Sequence, residues 1–130
     1  MCLRKKGRFK PARFGYKVMR RSEVNPKWFR SELRGSGRIE QGKWVDEKDF
    51  RQHPDEANLT LDYKPVWYPT GWHIFHSLES ARDWMPSREH AGYETYCIVK
   101  VSIREPVAVG YQDVGRVTVA KQMKILRVVA

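Results

Sequence analysis

The residue types with the clearest chemistry lie at the start of the chain. Arg4, Lys5, Lys6, Arg8, Lys10 and Arg13, continued by Lys17, Arg20 and Arg21, interleave with Phe9, Phe14 and Tyr16. Cations of this density neutralise phosphates and release their counterions, and aromatic rings beside them stack on bases. The pattern therefore predicts contact with a polyanion, against the plainer reading of a solvated tail that keeps the protein in solution. Residues 1–38 hold 13 Lys/Arg against Glu23 and Glu32, while residues 39–130 are close to neutral at a net −1, so the chain's formal +10 originates in its first third. No zinc-finger, homeodomain or glycine-loop pattern accompanies the charge, and nothing specifies a base sequence.

The histidines offer less. His73 and His76 stand three apart in a stretch that runs from a strand into a helix cap, and no third ligand is spaced to join them, so no metal and no cofactor is expected. His76, Ser77 and the N–H groups of residues 78–80 could instead form an anion site at a helix N-terminus; the alternative is an ordinary cap beside a partly exposed histidine. Cys97 alternates with valines, which makes it a buried thiol rather than a nucleophile. Asp46, Glu47, Asp49, Asp55, Glu56 and Asp62 give the middle of the chain a solvated face. The aromatic stretch from Trp67 to Trp72 is expected in the core, with a partner-anchoring surface as the other reading.

The elements that must position these residues follow from periodicity. Residues 1–12 read as a basic arm without regular structure, because Lys5-Lys6-Gly7 and Lys10-Pro11 disfavour it. Phe14 to Arg20 alternates as a half-buried edge strand. Ser22 to Asp62 is punctuated by Asn25-Pro26, Gly35-Ser36-Gly37 and His53-Pro54, so loops and short pieces are expected, with one short helix between Asp46 and Gln52. Trp72 to Phe75 is a strand; Ser77 caps a helix over 78–85, ended by Pro86. Thr95 to Arg104 follows as a strand with Cys97, Val99, Val101 and Ile103 on one face, interrupted at Pro106. Val107 to Gly110, Arg116 to Ala120 and Met123 to Val129 are further strands, with a bend near Lys121 and no connection long enough for a crossover helix. The expected fold is α+β: a twisted, mostly antiparallel sheet with one helix, occupying residues 13–130 behind the arm.

At 130 residues, with 41% hydrophobic residues and five Trp, the chain is sized for one folded domain. Two distant cysteines give no disulfide framework, no apolar run spans a bilayer, and the basic N-terminus lacks the apolar segment of a signal peptide. A cytoplasmic protein without a membrane partner is expected.

Two stretches resemble known proteins. Gly15-Tyr16-Lys17-Val18-Met19-Arg20, followed by Gly71-Trp72-His73-Ile74-Phe75-His76-Ser77-Leu78-Glu79-Ser80-Ala81, is similar to the ADP-ribosyltransferase-like fold, and Val117 to Leu126 resembles that fold's last strands. The resemblance implies a nucleotide pocket in which Arg20 matches the nucleotide-binding basic residue and His76 or Ser77 the second motif, with His73 a further candidate for the same nucleotide or anion pocket. Gln112, Asp113 and Arg116 stand where the family's activating Glu belongs, so it implies a relative that binds without transferring. The 70–130 pattern also resembles small bacteriophage proteins, among which host-takeover and anti-defence factors, including anti-CRISPR inhibitors, are found. The sequence thus supports a non-enzymatic binding protein for nucleic acid or a host ribonucleoprotein complex first, and an ADP-ribosyltransferase-like enzyme or nucleotide sensor second.

Overall fold

Two long strands carry the architecture. The computed structural model describes residues 3–22, 25–31, 37–50, 58–60, 67–85 and 95–130. In chain order these form β1 (Lys5–Lys6), β2 (Phe14–Arg21), β3 (Trp28–Ser31), β4 (Ile39–Glu40), β5 (Trp44–Asp46), a 3-10 turn (Glu47–Asp49), β6 (Asn58–Thr60), β7 (Trp67–Pro69), β8 (Trp72–Phe75), α1 (Leu78–Trp84), β9 (Thr95–Gln112) and β10 (Gly115–Val128). β9 and β10 are joined by the two-residue turn Asp113-Val114 and pair along almost their whole length. Every described pairing is antiparallel, and for β9 and β10 the two-residue turn requires it. The α+β class is therefore as expected.

The sheet closes on itself. β9 pairs with β10, β10 with β8, β8 with β2 through Tyr16 and Phe75, and β2 again with β9. A Cβ on Gly15 would meet the Phe75 carbonyl oxygen at 2.6 Å, so the close approach of β2 to β8 needs a residue without one. β3 and β4 extend the sheet beyond β2, β5 lies on the free edge of β10, and β6 and β7 form a separate ribbon. The edge position expected for Phe14 to Arg20 is corrected: β2 has β9 on one side and β8 and β3 on the other, and Val18 and Met19 are buried on opposite faces.

The interruption expected at Pro106 and the bend expected near Lys121 do not divide the strands: β9 and β10 run through both positions. Pro106 lies opposite Ala120, the register shifts by one residue beside it, and Glu105 takes a φ of 54°. A bulge tolerates a residue with no N–H to give and increases local twist, so the strands run through and curl.

Two core clusters occupy the two faces. One gathers Phe29, Ile39, Trp72, Ile74 and Met123 with Cys97, Val99, Val101 and Ile103, the four residues that the alternation assigns to one face. The other holds Leu3, Val18, Tyr68, Phe75, Ile98 and Val117 beneath α1, to which Ala81 contributes. Ser77 caps α1 by accepting the Ser80 N–H at 3.1 Å, and the helix ends on Met85, so the element expected over 78–85 is present. The short helix expected near Asp46 is the 3-10 turn, capped by Asp46; Arg51 and Gln52 lie outside the described residues. Glu47 departs from its expected solvated face and is fully buried where this turn meets β10. Asp55, Glu56, Asp62 and Pro86 fall outside the described residues.

Candidate nucleic-acid interface

The basic segment is built into the sheet, which corrects the expectation that Lys5-Lys6-Gly7 lacks regular structure. Lys5 lies opposite Tyr111 and Lys6 opposite Gly110; Arg4 N–H donates to the Tyr111 carbonyl at 2.8 Å and Gly7 N–H to that of Val109 at 3.0 Å. Phe14 then lies opposite Ser102, so β1 and β2 keep one register along β9 and form two halves of a single run, parted at the Glu105 kink. Leu3 supplies the anchor. Its side chain is wholly buried, and its N–H donates at 2.7 Å to the Tyr68 hydroxyl.

That hydroxyl leads to His73. The Tyr68 oxygen lies 3.0 Å from His73 Nε2, and His73 Nδ1–H donates to the Gly71 carbonyl at 3.1 Å. His73 is thus a buried link between β8 and the N-terminal segment, with its ring edges occupied. Lys17 is buried as well, its ammonium donating to the His73 carbonyl at 3.2 Å and lying 5.8 Å from the Trp72 ring centre. Lys17 is therefore withdrawn from the expected phosphate-binding surface. Arg20 turns toward β3, donating through Nε and Nη2 to the Ser31 carbonyl at 3.2 and 3.0 Å. Arg21 is half-buried beside Cys97, whose thiol burial pushes up to about 11 while the Arg21 charge opposes the rise.

His76 faces β10, with Nε2 at 2.6 Å from the Thr118 hydroxyl. Burial lowers its pKa from the ordinary 6.5, and the neighbouring Arg116 charge adds to the effect. The Ser77 hydroxyl accepts from Ser80 N–H and donates to the Ser80 hydroxyl at 2.9 Å, which in turn donates to the Val114 carbonyl at 2.7 Å. In these hydrogen bonds Arg20, His73, His76 and Ser77 share no common partner. The anion site expected of His76, Ser77 and residues 78–80 is not assembled either, because the histidine points to β10 and the cap is filled by serine.

The arm's cations stay at the surface. Lys5, Lys6, Arg8, Lys10 and Arg13 are exposed, and Arg4 forms a partly exposed ion pair with Asp113 at 3.1 Å. Phe9 packs edge-on to His76 and Tyr111 at 5.2 and 5.3 Å between ring centres, with Arg116 over it at 4.8 Å. Of the three aromatics expected to meet bases, Phe9 and Tyr16 are thus packed into the fold, and Phe14 alone is largely exposed, at 53%.

Register also gathers residues that sequence reasoning passed over. Phe14 lies opposite Ser102, Ser102 opposite Lys124, and Lys124 opposite Trp44, a row across β2, β9, β10 and β5. Directly opposed residues share a face. Arg104 stacks on Trp44 at 3.7 Å from the ring centre, Lys124 lies 5.1 Å from the same ring, and Lys100 lies 5.7 Å from that of Phe14. The outward alternation of Lys100, Ser102 and Arg104 was the available signal; their neighbours become visible only with strand pairing.

Trp72 and Tyr68 are core residues, as expected, whereas Trp67 is 63% exposed. Among the described residues no group of three or more His, Cys, Asp or Glu side chains is placed to hold a metal ion, and no helix is long and apolar enough to cross a membrane. No protein-family model, curated protein or solved structure matches the chain significantly.

Proposed function

We propose that the chain is a non-enzymatic nucleic-acid-binding protein whose N-terminal segment tracks a phosphate backbone. The observation that supports this reading is the two-sided construction of residues 3–13: Leu3 and Phe9 are packed inward while Lys5, Lys6, Arg8, Lys10 and Arg13 face solvent on a backbone partly paired with β9. A flexible tail loses conformational entropy when it binds; a segment already ordered by its sheet loses less. Each phosphate neutralised releases counterions, so affinity falls steeply as salt rises. The bacteriophage resemblance extends the proposal to an anti-defence inhibitor acting on a host ribonucleoprotein, with the same cations meeting the RNA.

The test is a binding titration against RNA and DNA across salt concentrations, with wild type and a variant reversed to Glu at Arg4, Lys5, Lys6 and Arg8. The wild type binds with a steep salt dependence. The variant binds more weakly, and its slope of log affinity on log salt is shallower by about 3 to 4 on duplex DNA. Equal binding by both proteins at low salt removes the arm from the site.

A further inference from the structure

We propose that the outer face of β2, β9, β10 and β5 is a platform for single-stranded nucleic acid, where Phe14 and the Arg104–Trp44 stack hold unpaired bases and Lys100, Lys124 and Arg127 meet phosphates. The proposal rests on the nucleic-acid reading above and specifies its ligand as an unpaired strand.

Phe14 and Trp44 belong to neither core cluster, so core packing does not account for them. Both stand on strands whose pairing holds their backbone in place, at opposite ends of one cross-strand row. Three inter-strand steps separate them, about 14 Å. That spans roughly four stacked nucleotide steps of about 3.4 Å, or fewer if the strand is extended. The cations lie among the rings. Arg127 is opposite Lys100, Lys124 sits between Ser102 and Trp44, and Arg104 is opposite Gln122. No ion pair among the described residues engages Lys100, Arg104, Lys124 or Arg127, so their charge is not neutralised internally. A carboxylate on this face, that of Asp46, stands at the β5 margin with one oxygen accepting the Lys48 N–H at 3.1 Å and the other 3.5 Å from the Gln122 amide.

The ring faces decide between strand types. Duplex bases bury their faces in their own stack, leaving Phe14 and Trp44 no partner, whereas an unpaired base can lie on an aromatic ring or on a guanidinium plane. The platform also has a continuation on each side. Arg13 immediately precedes Phe14 and brings in the arm's charge, while beyond Lys124 an open groove of about 310 Å³ runs to Gln41 and Lys27.

The experiment measures fluorescence anisotropy of a labelled oligothymidylate of about 12 nucleotides, within the usual range of site sizes, and of a duplex of equal length at equal salt. Wild type binds the single strand more tightly. Phe14→Ala and Trp44→Ala each weaken single-strand binding by roughly tenfold and leave duplex binding unchanged. Trp44→Phe keeps a ring and retains most of the affinity, and Phe14→Ala alters only an exposed side chain, so neither result depends on a damaged fold. Lys100→Ala with Lys124→Ala reduces the single-strand salt slope by about 1.4. Equal or tighter duplex binding, or wild-type single-strand affinity in the doubly substituted Phe14/Trp44 protein, overturns the platform. If arm reversal still weakens binding in that case, the arm reading stands alone; if wild type binds neither probe, both readings fall.

Discussion

His76 shows how one side chain ties the basic segment to the fold. The buried Thr118 hydroxyl accepts the Ala12 N–H at 3.1 Å and meets His76 Nε2 at 2.6 Å, an arrangement satisfied when it donates its own proton to a neutral imidazole. Burial and Arg116 both disfavour the imidazolium and lower the pKa from 6.5. As pH falls through that value the unfolded chain takes up the proton first, so stability drops with pH until it levels off below the folded-state pKa. His76→Gln is expected to flatten this part of the profile, read as melting temperature between about pH 7.5 and about pH 5 in both proteins. An identical profile in the variant would assign the slope to other groups. Cys97 illustrates the opposite direction: with its thiol pushed up to about 11 and its side chain in the core, it should resist alkylation at about pH 8 and react once denaturant opens the sheet. Mass spectrometry of the labelled peptides distinguishes these states, and labelling of native protein at Cys97 would contradict its burial.

Among the elements, α1 and the first half of β9 were legible because their signals are local. Ser77 caps the helix within three residues, and Cys97, Val99, Val101 and Ile103 alternate without interruption. The docking of residues 3–7 was not legible, since it depends on a single leucine and on partners a hundred residues away. The candidate platform was hidden for the same reason: pairing alone brings residues 14, 44, 100, 102, 104, 124 and 127 onto one face, and the chain's charge asymmetry pointed elsewhere. The arm strand meets its most exacting condition at Gly110, where a Cβ would collide with the Lys5 carbonyl oxygen and the Leu3 methyl groups. Gly110→Ala is therefore expected to displace β1 at a cost of about 1 to 3 kcal/mol, the range for overpacking a filled site. Amide hydrogen exchange reads this directly: Arg4 and Gly7, which bond to Tyr111 and Val109, lose protection, while Ile98, bonded to the Ala130 carbonyl, keeps it. Unchanged protection at Arg4 and Gly7 would show that β1 tolerates the methyl group.

At the scale of the whole molecule, charge that serves binding works against folding. The chain carries a formal +10, and docking the N-terminal segment fixes Lys6 and the cations after it on the folded body instead of letting a tail spread them through solvent. Self-repulsion of this kind destabilises a compact state, and it is screened over about 10 Å at 0.1 M salt. Salt should then act with opposite signs on the two properties, raising the melting temperature of the free protein while weakening its hold on nucleic acid. Neutralising Lys6, Arg8 and Lys10 to Gln removes three charges, from +10 to a formal +7, and spares the Arg4–Asp113 ion pair. The triple variant is expected to melt higher than wild type at low salt, with the difference shrinking as salt is added. It should also bind nucleic acid more weakly, with a salt slope shallower by up to about 2 to 3. Thermal scans and titrations on the same two proteins across one salt series give both responses. A variant that melts lower at every salt concentration would mean that these cations hold the segment in place, and the conflict between charge and stability would have to be sought elsewhere in the fold.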